Sequence, residues 1–420
     1  MTAGAGESDS SRLAYLDGLR GWAALIVVLC HLFPFYLLRS SGPSAEGVRH
    51  LLAKGAFWGY LQYSVATVGV VFYHFLTDGA IAVYVFFVLS GYVLSVGYVQ
   101  KRRRELIADQ ALRRYIRLTV PIFFACCIAF CLMKLGLMYN QRVAVMSGSE
   151  WIAQFYQWSP DFFSLVKFAL YDVYFDYFHV NSYVFVLWTM QLEFFGSFLI
   201  FCLLALFGEL EKRWIPYGLA LVAVWLINRD LVSFMMGLFI AELYQLEQVR
   251  LLLGRKVSKI AVSIMLMLVL LVPVLTFHYL ARDNWAPVYS VAATIIVVSV
   301  MMLKPFQSAF SCRVSRFFGH ISFSLYLMHP LVLCSFGAWY FIALHEYLSR
   351  PVLIASCAAF VVALSVLSAR AFVILDSWGV REARRFSSAV LRKSALMPRT
   401  DSRVRRAGPA HAGESVGVPD

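Results

Sequence analysis

Long apolar runs, broken by short polar and basic stretches, dominate this chain. Ten of them read as candidate membrane crossings: 14–38, 79–99, 118–138, 183–207, 214–228, 231–246, 260–280, 286–303, 320–343 and 352–375. A helix needs about 20 apolar residues to cross the hydrocarbon core, so 214–228 and 231–246 are short for the task, and fit a helix with less tilt or one partly buried in protein. The breaks alternate in charge. One set, at 100–117, 208–213, 247–259, 304–319 and beyond 375, carries clusters such as KRRRELIADQALRRYIR, RLLLGRKVSK and REARRF. The opposite set carries mixed or acidic stretches such as DVYFDYFH, NRD and HYLARDNW. Lys and Arg collect on the cytoplasmic side of membrane proteins. The pattern therefore predicts an all-α, polytopic transmembrane bundle of about ten spans with both termini cytoplasmic. Residues 56–76 (AFWGYLQYSVATVGVVFYHFL) are also apolar enough to cross, but a span there would carry the basic loop 101–117 to the outer side. They are expected to form an interfacial or re-entrant element, which is tolerated at membrane depth only where protein or a water-filled cavity surrounds it.

Composition agrees with the pattern. Hydrophobic residues make up 60% of the 420 and charged residues 15%, against about 25% charged in soluble domains; mean hydropathy is +0.70. The net charge of +13 is explained by cytoplasmic loops, and no nucleic-acid partner is expected. The opening residues MTAGAGESDSSR lack the basic-then-apolar order of a signal sequence. The expected organisation is a disordered N-terminus at 1–12, a membrane domain at 13–384 and a disordered cytoplasmic tail at 385–420, in a multi-pass protein of the inner or plasma membrane. Seven of eight cysteines lie in apolar stretches and none has zinc-ligand spacing, so no metal is expected.

Ionisable groups inside spans are costly and mark functional candidates. Four stand out: Arg20 and His31 in the first span, Glu193 in the fourth and His329 in the ninth. Arg20 and His31 are eleven residues apart, about 20° past three full turns at 100° per residue, and so share one helix face. They lie roughly 16 Å apart along the axis at 1.5 Å per residue. Asp17, three residues before Arg20, is placed to pair with it. An interfacial Asp17–Arg20 ion pair and a satisfied buried imidazole would fit the same spacing. Glu193 and His329 fall near mid-bilayer, where a carboxylate behind a histidine would orient a general base. In the basic loop, Arg113, Arg114 and Arg117 lead into the third span, with Arg113 and Arg117 at i, i+4. Arginine binds phosphate oxygens bidentately, so a phosphate-rich cytoplasmic donor such as a CoA thioester would fit; topogenic charge facing anionic lipid head groups fits as well. His278 and Asp283 match an H-x4-D spacing without a companion phosphate motif and read as coincidence. Ser90 and Gly91 would let helices approach closely.

Taken in order, these segments resemble one family. YLDGLRGWAALIVVLCH is similar to the opening of the acyltransferase 3 family, with its Arg-x10-His pattern at Arg20 and His31. VYVFFVLSGYVLS, which contains Ser90, resembles the family's second-span motif, and RRYIRLTVP the basic lead into its third span. VLWTMQLEF resembles its Trp-Thr/Ser-x-x-x-Glu motif from Trp188 to Glu193, and ISFSLYLMHP its Ser-x-Tyr-Leu-x-His element at Ser324, Tyr326 and His329. The resemblance runs over about 13–375 and implies ten spans. It also implies transfer of an acyl group, most often acetyl from cytoplasmic acetyl-CoA, to a hydroxyl of a glycan, a glycolipid or a small natural product. By resemblance His31 and Arg20 form the catalytic pair, and Arg113, Arg114 and Arg117 hold the donor phosphates. Glu193 is expected to orient or balance His31. No appended hydrolase-like domain follows the spans, so a stand-alone form is expected. A transporter or acyl-relay component is the rival expectation, because intramembrane His, Arg and Glu also mark substrate pathways.

Overall fold

In the computed structural model, residues 4–36, 75, 78–273, 276 and 285–393 are described, and helix but no strand occurs among them. Ten helices form the body: α1 (Gly4–Tyr36), α2 (Gly79–Lys101), α3 (Arg104–Lys134), α4 (Trp188–Phe207), α5 (Trp214–Ile227), α6 (Val232–Leu243), α7 (Lys256–Val269), α8 (Trp285–Met302), α9 (Arg313–Val332) and α10 (Arg350–Lys393). Seven stretches are long and apolar enough to cross a membrane; they lie on α1, α2, α3, α4, α8, α9 and α10. The protein is therefore a multi-pass membrane protein.

The three shorter helices explain why the apolar runs at 214–228, 231–246 and 260–280 stand apart. α6 has 12 residues and is buried in protein, with Ser233, Phe234, Met235 and Leu238 fully enclosed. α5 and α7 lie at the periphery, where Leu226, Ile227, Val257 and Met267 are exposed. The segment 56–76, apart from Phe75, and the His278–Asp283 pair lie outside the described residues.

α2 is the hub. It packs against α1, α4, α6 and α8, while α1 runs along α9, and α10 bridges α3 and α9. Two crossings depend on absent side chains. A Cβ on Gly237 would stand 2.3 Å from the Val88 carbonyl oxygen, and one on Gly91 would stand 2.2 Å from the Phe234 carbonyl oxygen. The α2–α6 contact is thus backbone against backbone, as the Ser90-Gly91 pair suggested, and small residues permit it as they do generally between membrane helices. Gly237→Ala is expected to destabilise the folded protein by about 1–3 kcal/mol through overpacking. A lowered unfolding temperature in detergent, followed by tryptophan fluorescence, would register the loss; an unchanged midpoint would count against the crossing. α1 and α9 meet in the same way, with a Cβ on Gly319 only 2.4 Å from the Asp17 carbonyl oxygen.

Helix boundaries extend beyond the apolar runs. α10 continues to Lys393, past residue 384 where the hydropathy pattern ends the membrane domain. Local contacts hold this extension: Arg385 pairs with Glu382 at 2.7 Å, Ser387 donates to Asp109, and Leu391 is buried. α1 likewise begins at Gly4, inside the polar N-terminal stretch. Between α3 and α4 the chain forms short helices at Asn140–Ser147, Glu150–Ala153 and Phe162–Lys167. Buried Asn140 ties the first two together, donating to the Ile152 and Phe155 carbonyls at 3.0 and 2.9 Å.

Candidate functional site: an arginine-lined cavity beneath a histidine pair

Six helices surround a cavity of about 690 Å³, and each contributes a stripe at helical spacing. α1 presents Ala14, Asp17 and Arg20; α2 presents Val83, Phe86, Phe87 and Ser90; α3 presents Arg114, Arg117 and Leu118. α4 adds Thr189, Met190 and Glu193, α9 adds Arg316, His320, Phe323 and Tyr326, and α10 adds Asp376, Val380 and Arg384. Five arginines face three carboxylates here. Arg117, Arg316 and Arg384 are exposed, Arg20 is intermediate and Arg114 is buried, so the cavity deepens inward from the ends of the basic segments.

Its deepest charge pair is Arg114 with Glu193, both largely buried. Ser90 Oγ donates to Glu193 Oε1 at 2.5 Å, and Arg114 Nη2 donates to the same oxygen. A buried carboxylate requires such partners, because desolvation is otherwise unopposed. Arg114 Nε is buried without a hydrogen-bond partner among the described residues. Glu193 therefore does not orient His31, as the sequence suggested: its carboxylate is engaged by α3 and α2.

The partner of His31 is His329. His31 Nδ1 lies 3.1 Å from His329 Nε2, and His329 Nδ1 lies 3.0 Å from the Leu325 carbonyl. A carbonyl only accepts, so His329 carries its proton on Nδ1 and a neutral ring keeps a lone pair on Nε2. His31 then donates from Nδ1, and in the neutral ring the lone pair is on its Nε2. The ring is fixed from the other sides by Trp151, stacked at 5.6 Å between centroids, and by Phe185, edge-on at 5.3 Å. One layer of side chains divides the pair from the cavity. Tyr326 lines the cavity and its ring centre is 6.1 Å from that of His329. Its hydroxyl bonds Thr189 Oγ1 at 2.7 Å and donates to the Val186 carbonyl at 2.7 Å.

The other expected residues divide. Arg20, Arg114, Arg117, Asp17 and Ser90 line the cavity, but no ion pair joins Asp17 to Arg20 among the described residues. Arg113 does not line it: its guanidinium pairs with Asp109 one turn back, at 2.6 Å. At i, i+4 the two arginines share a helix face, yet the nearer acid captures Arg113. Trp188 is 40% exposed and lines a separate outer cleft with Tyr84, Asp230 and Tyr289. Ser324 is fully buried, and its hydroxyl has no partner among the described residues. Missed from sequence were Trp151, Phe185, Arg316, His320, Asp376 and Arg384. The last four carried a signal, since Arg316 and His320 are spaced i, i+4 and Asp376, Val380 and Arg384 i, i+4, i+8.

An all-helical bundle with seven helices apolar enough to cross a membrane, a polar cavity and a histidine pair behind its wall defines an integral membrane protein with a candidate reaction site. Residues 13–370 match the family model described as an acyltransferase domain, of the acyltransferase 3 type, and the chain belongs to that family: it is a membrane acyltransferase. No curated protein and no solved structure matches it significantly.

Proposed function

We propose that the protein is an O-acyltransferase that moves an acetyl group from cytoplasmic acetyl-CoA to a hydroxyl of a glycan or glycolipid, across ten crossings of the inner or plasma membrane with both termini cytoplasmic. The observation that carries this reading is the His31–His329 pair, which stands behind Tyr326 in the wall of a cavity rich in arginine. The donor enters from the basic side, its phosphates against Arg117 and its pantetheine arm past Arg20 toward Tyr326. The acceptor arrives from the opposite side, beside Trp151.

His31 Nε2 removes the proton of the acceptor hydroxyl as that oxygen attacks the thioester carbonyl. The tetrahedral intermediate collapses, the carbon–sulfur bond breaks, and the imidazolium returns its proton to the departing thiolate. His329 Nε2 accepts from His31 Nδ1 throughout and so stabilises the imidazolium. Glu193 acts through Arg114, which it keeps charged and fixed in the cavity wall.

The test is purified protein in proteoliposomes with radiolabelled acetyl-CoA, together with mass spectrometry of glycans, lipids and metabolites from a deletion strain. CoA release with label on an acceptor, and the loss of one acetyl mass in the deletion strain, are expected. Substrate flux across the vesicles with no consumption of acetyl-CoA would sink the reading.

A further inference from the structure

The family match ends at residue 370, yet the cavity wall does not. Asp376, Val380 and Arg384 line it from the continuation of α10. Arg384 and, on α9, Arg316 are exposed within the cavity lining, and neither guanidinium has an ion pair or hydrogen bond among the described residues. Three nearby arginines are engaged, Arg385 with Glu382, Arg104 with Glu209 and Arg102 with Glu242, while Arg313 and Arg381, also exposed, do not line the cavity.

The extension is also braced. Asp109 on α3 takes both Arg113, at 2.6 Å, and the Ser387 hydroxyl, one turn beyond Arg384. Gly379 lies against α3 closely enough that a Cβ would stand 3.0 Å from Val120 Cβ, and Ala383 is buried. A braced helix that presents an unpaired guanidinium in the same cavity lining as a second one offers two planar forks to phosphate oxygens from backbone that is already ordered.

We infer that Arg384, with Arg316, binds the nucleotide phosphates of the donor at the cavity mouth, so that the α10 extension selects a nucleotide-bearing thioester over bare acyl-pantetheine. This rests on the reading of the donor as an acyl-CoA. The Arg113–Asp109–Ser387 contact is a positioning device for that helix, which gives Arg113 an indirect place in donor binding.

Arg384→Gln is the test, with Arg385→Gln as the control on the same helix. Loss of a charge-assisted contact raises the KM for acetyl-CoA roughly tenfold or more with kcat little changed. Turnover of acetyl-pantetheine, and both substrates in Arg385→Gln, stay as in the parent protein. Binding of adenosine 3′,5′-bisphosphate, measured directly by calorimetry in detergent, weakens by a similar factor in Arg384→Gln. Equal loss with both thioesters would overturn the inference, since Arg384 would then be supporting the fold. Unchanged KM and unchanged nucleotide binding would overturn it too, and would leave the acyltransfer reading standing. If the parent protein binds the bisphosphate but consumes no acetyl-CoA, the acyltransfer reading falls and the phosphate site stands. If it does neither, both fall.

Discussion

His31→Gln is expected to reduce acyl transfer about a thousandfold, within the range a positioned general base contributes. The argument rests on one lone pair. The Leu325 carbonyl fixes the His329 proton on Nδ1, and His329 Nε2 in turn fixes the His31 proton on its Nδ1. A glutamine at position 31 retains a donor for His329 but offers no basic nitrogen. His329→Gln should cost less, roughly 10–100-fold, as is usual when an orienting partner is removed and the acting group remains. The ratio between the two variants is the informative quantity. Turnover of each in proteoliposomes, with unfolding temperatures matched to the parent protein, gives that ratio. Normal turnover in His31→Gln would remove His31 from the chemistry, and a larger loss at 329 than at 31 would exchange their roles.

The second large effect is on stability. Glu193→Leu leaves Arg114 buried beside an apolar side chain and removes the acceptor for Ser90. Breaking one side of a buried ion pair costs about 3–5 kcal/mol, because the remaining charge has no compensation. Arg114→Met should cost a similar amount. The double variant Arg114→Met/Glu193→Leu should recover much of the loss, since an apolar pair of similar volume needs no solvation. Unfolding in detergent of the four proteins forms a double-mutant cycle. Additive losses would show that Arg114 and Glu193 do not depend on one another for their burial in the cavity wall. The double variant should nevertheless remain inactive, because the cavity would have lost its deepest guanidinium.

How much of this was legible in the sequence follows from what each signal encodes. Hydropathy and loop charge report the solvent around a segment, so the helical membrane architecture could be read directly. They do not report burial by protein, which is why α6, enclosed on α2 through Gly91 and Gly237, looked merely short. The eleven-residue spacing relates Arg20 and His31 along α1, yet only Arg20 lines the cavity. Spacing along one helix cannot name a partner on another, however. The apolar runs place Glu193 and His329 at similar expected depths, and only the packing of α4 against α3 and of α9 against α1 sends one to Arg114 and the other to His31. Arg113 and Arg117 show the same blindness from the other direction: their shared face was visible, while the capture of Arg113 by Asp109 was decided by a single nearby acid. Arg384 gave no separate signal, because a basic stretch after the last apolar run has the same composition whether it faces lipid head groups or continues the last helix along α3. Trp151 escaped because nothing local connects a tryptophan in a polar loop with an imidazole on the first helix.

The blind end of the cavity has an electrical consequence. A bilayer is an insulator whose voltage falls across its low-dielectric thickness. A polar pit lined by five arginines carries the potential of one face inward to the level of Glu193. The remaining drop is then compressed into the thin layer made by Phe86, Thr189, Tyr326 and the two histidines. On the proposed chemistry, a proton passed across this layer would travel a short distance yet cross much of the field, and turnover would then depend on the polarisation of the membrane. The Tyr326–Thr189 hydrogen bond is, in that light, part of the insulation.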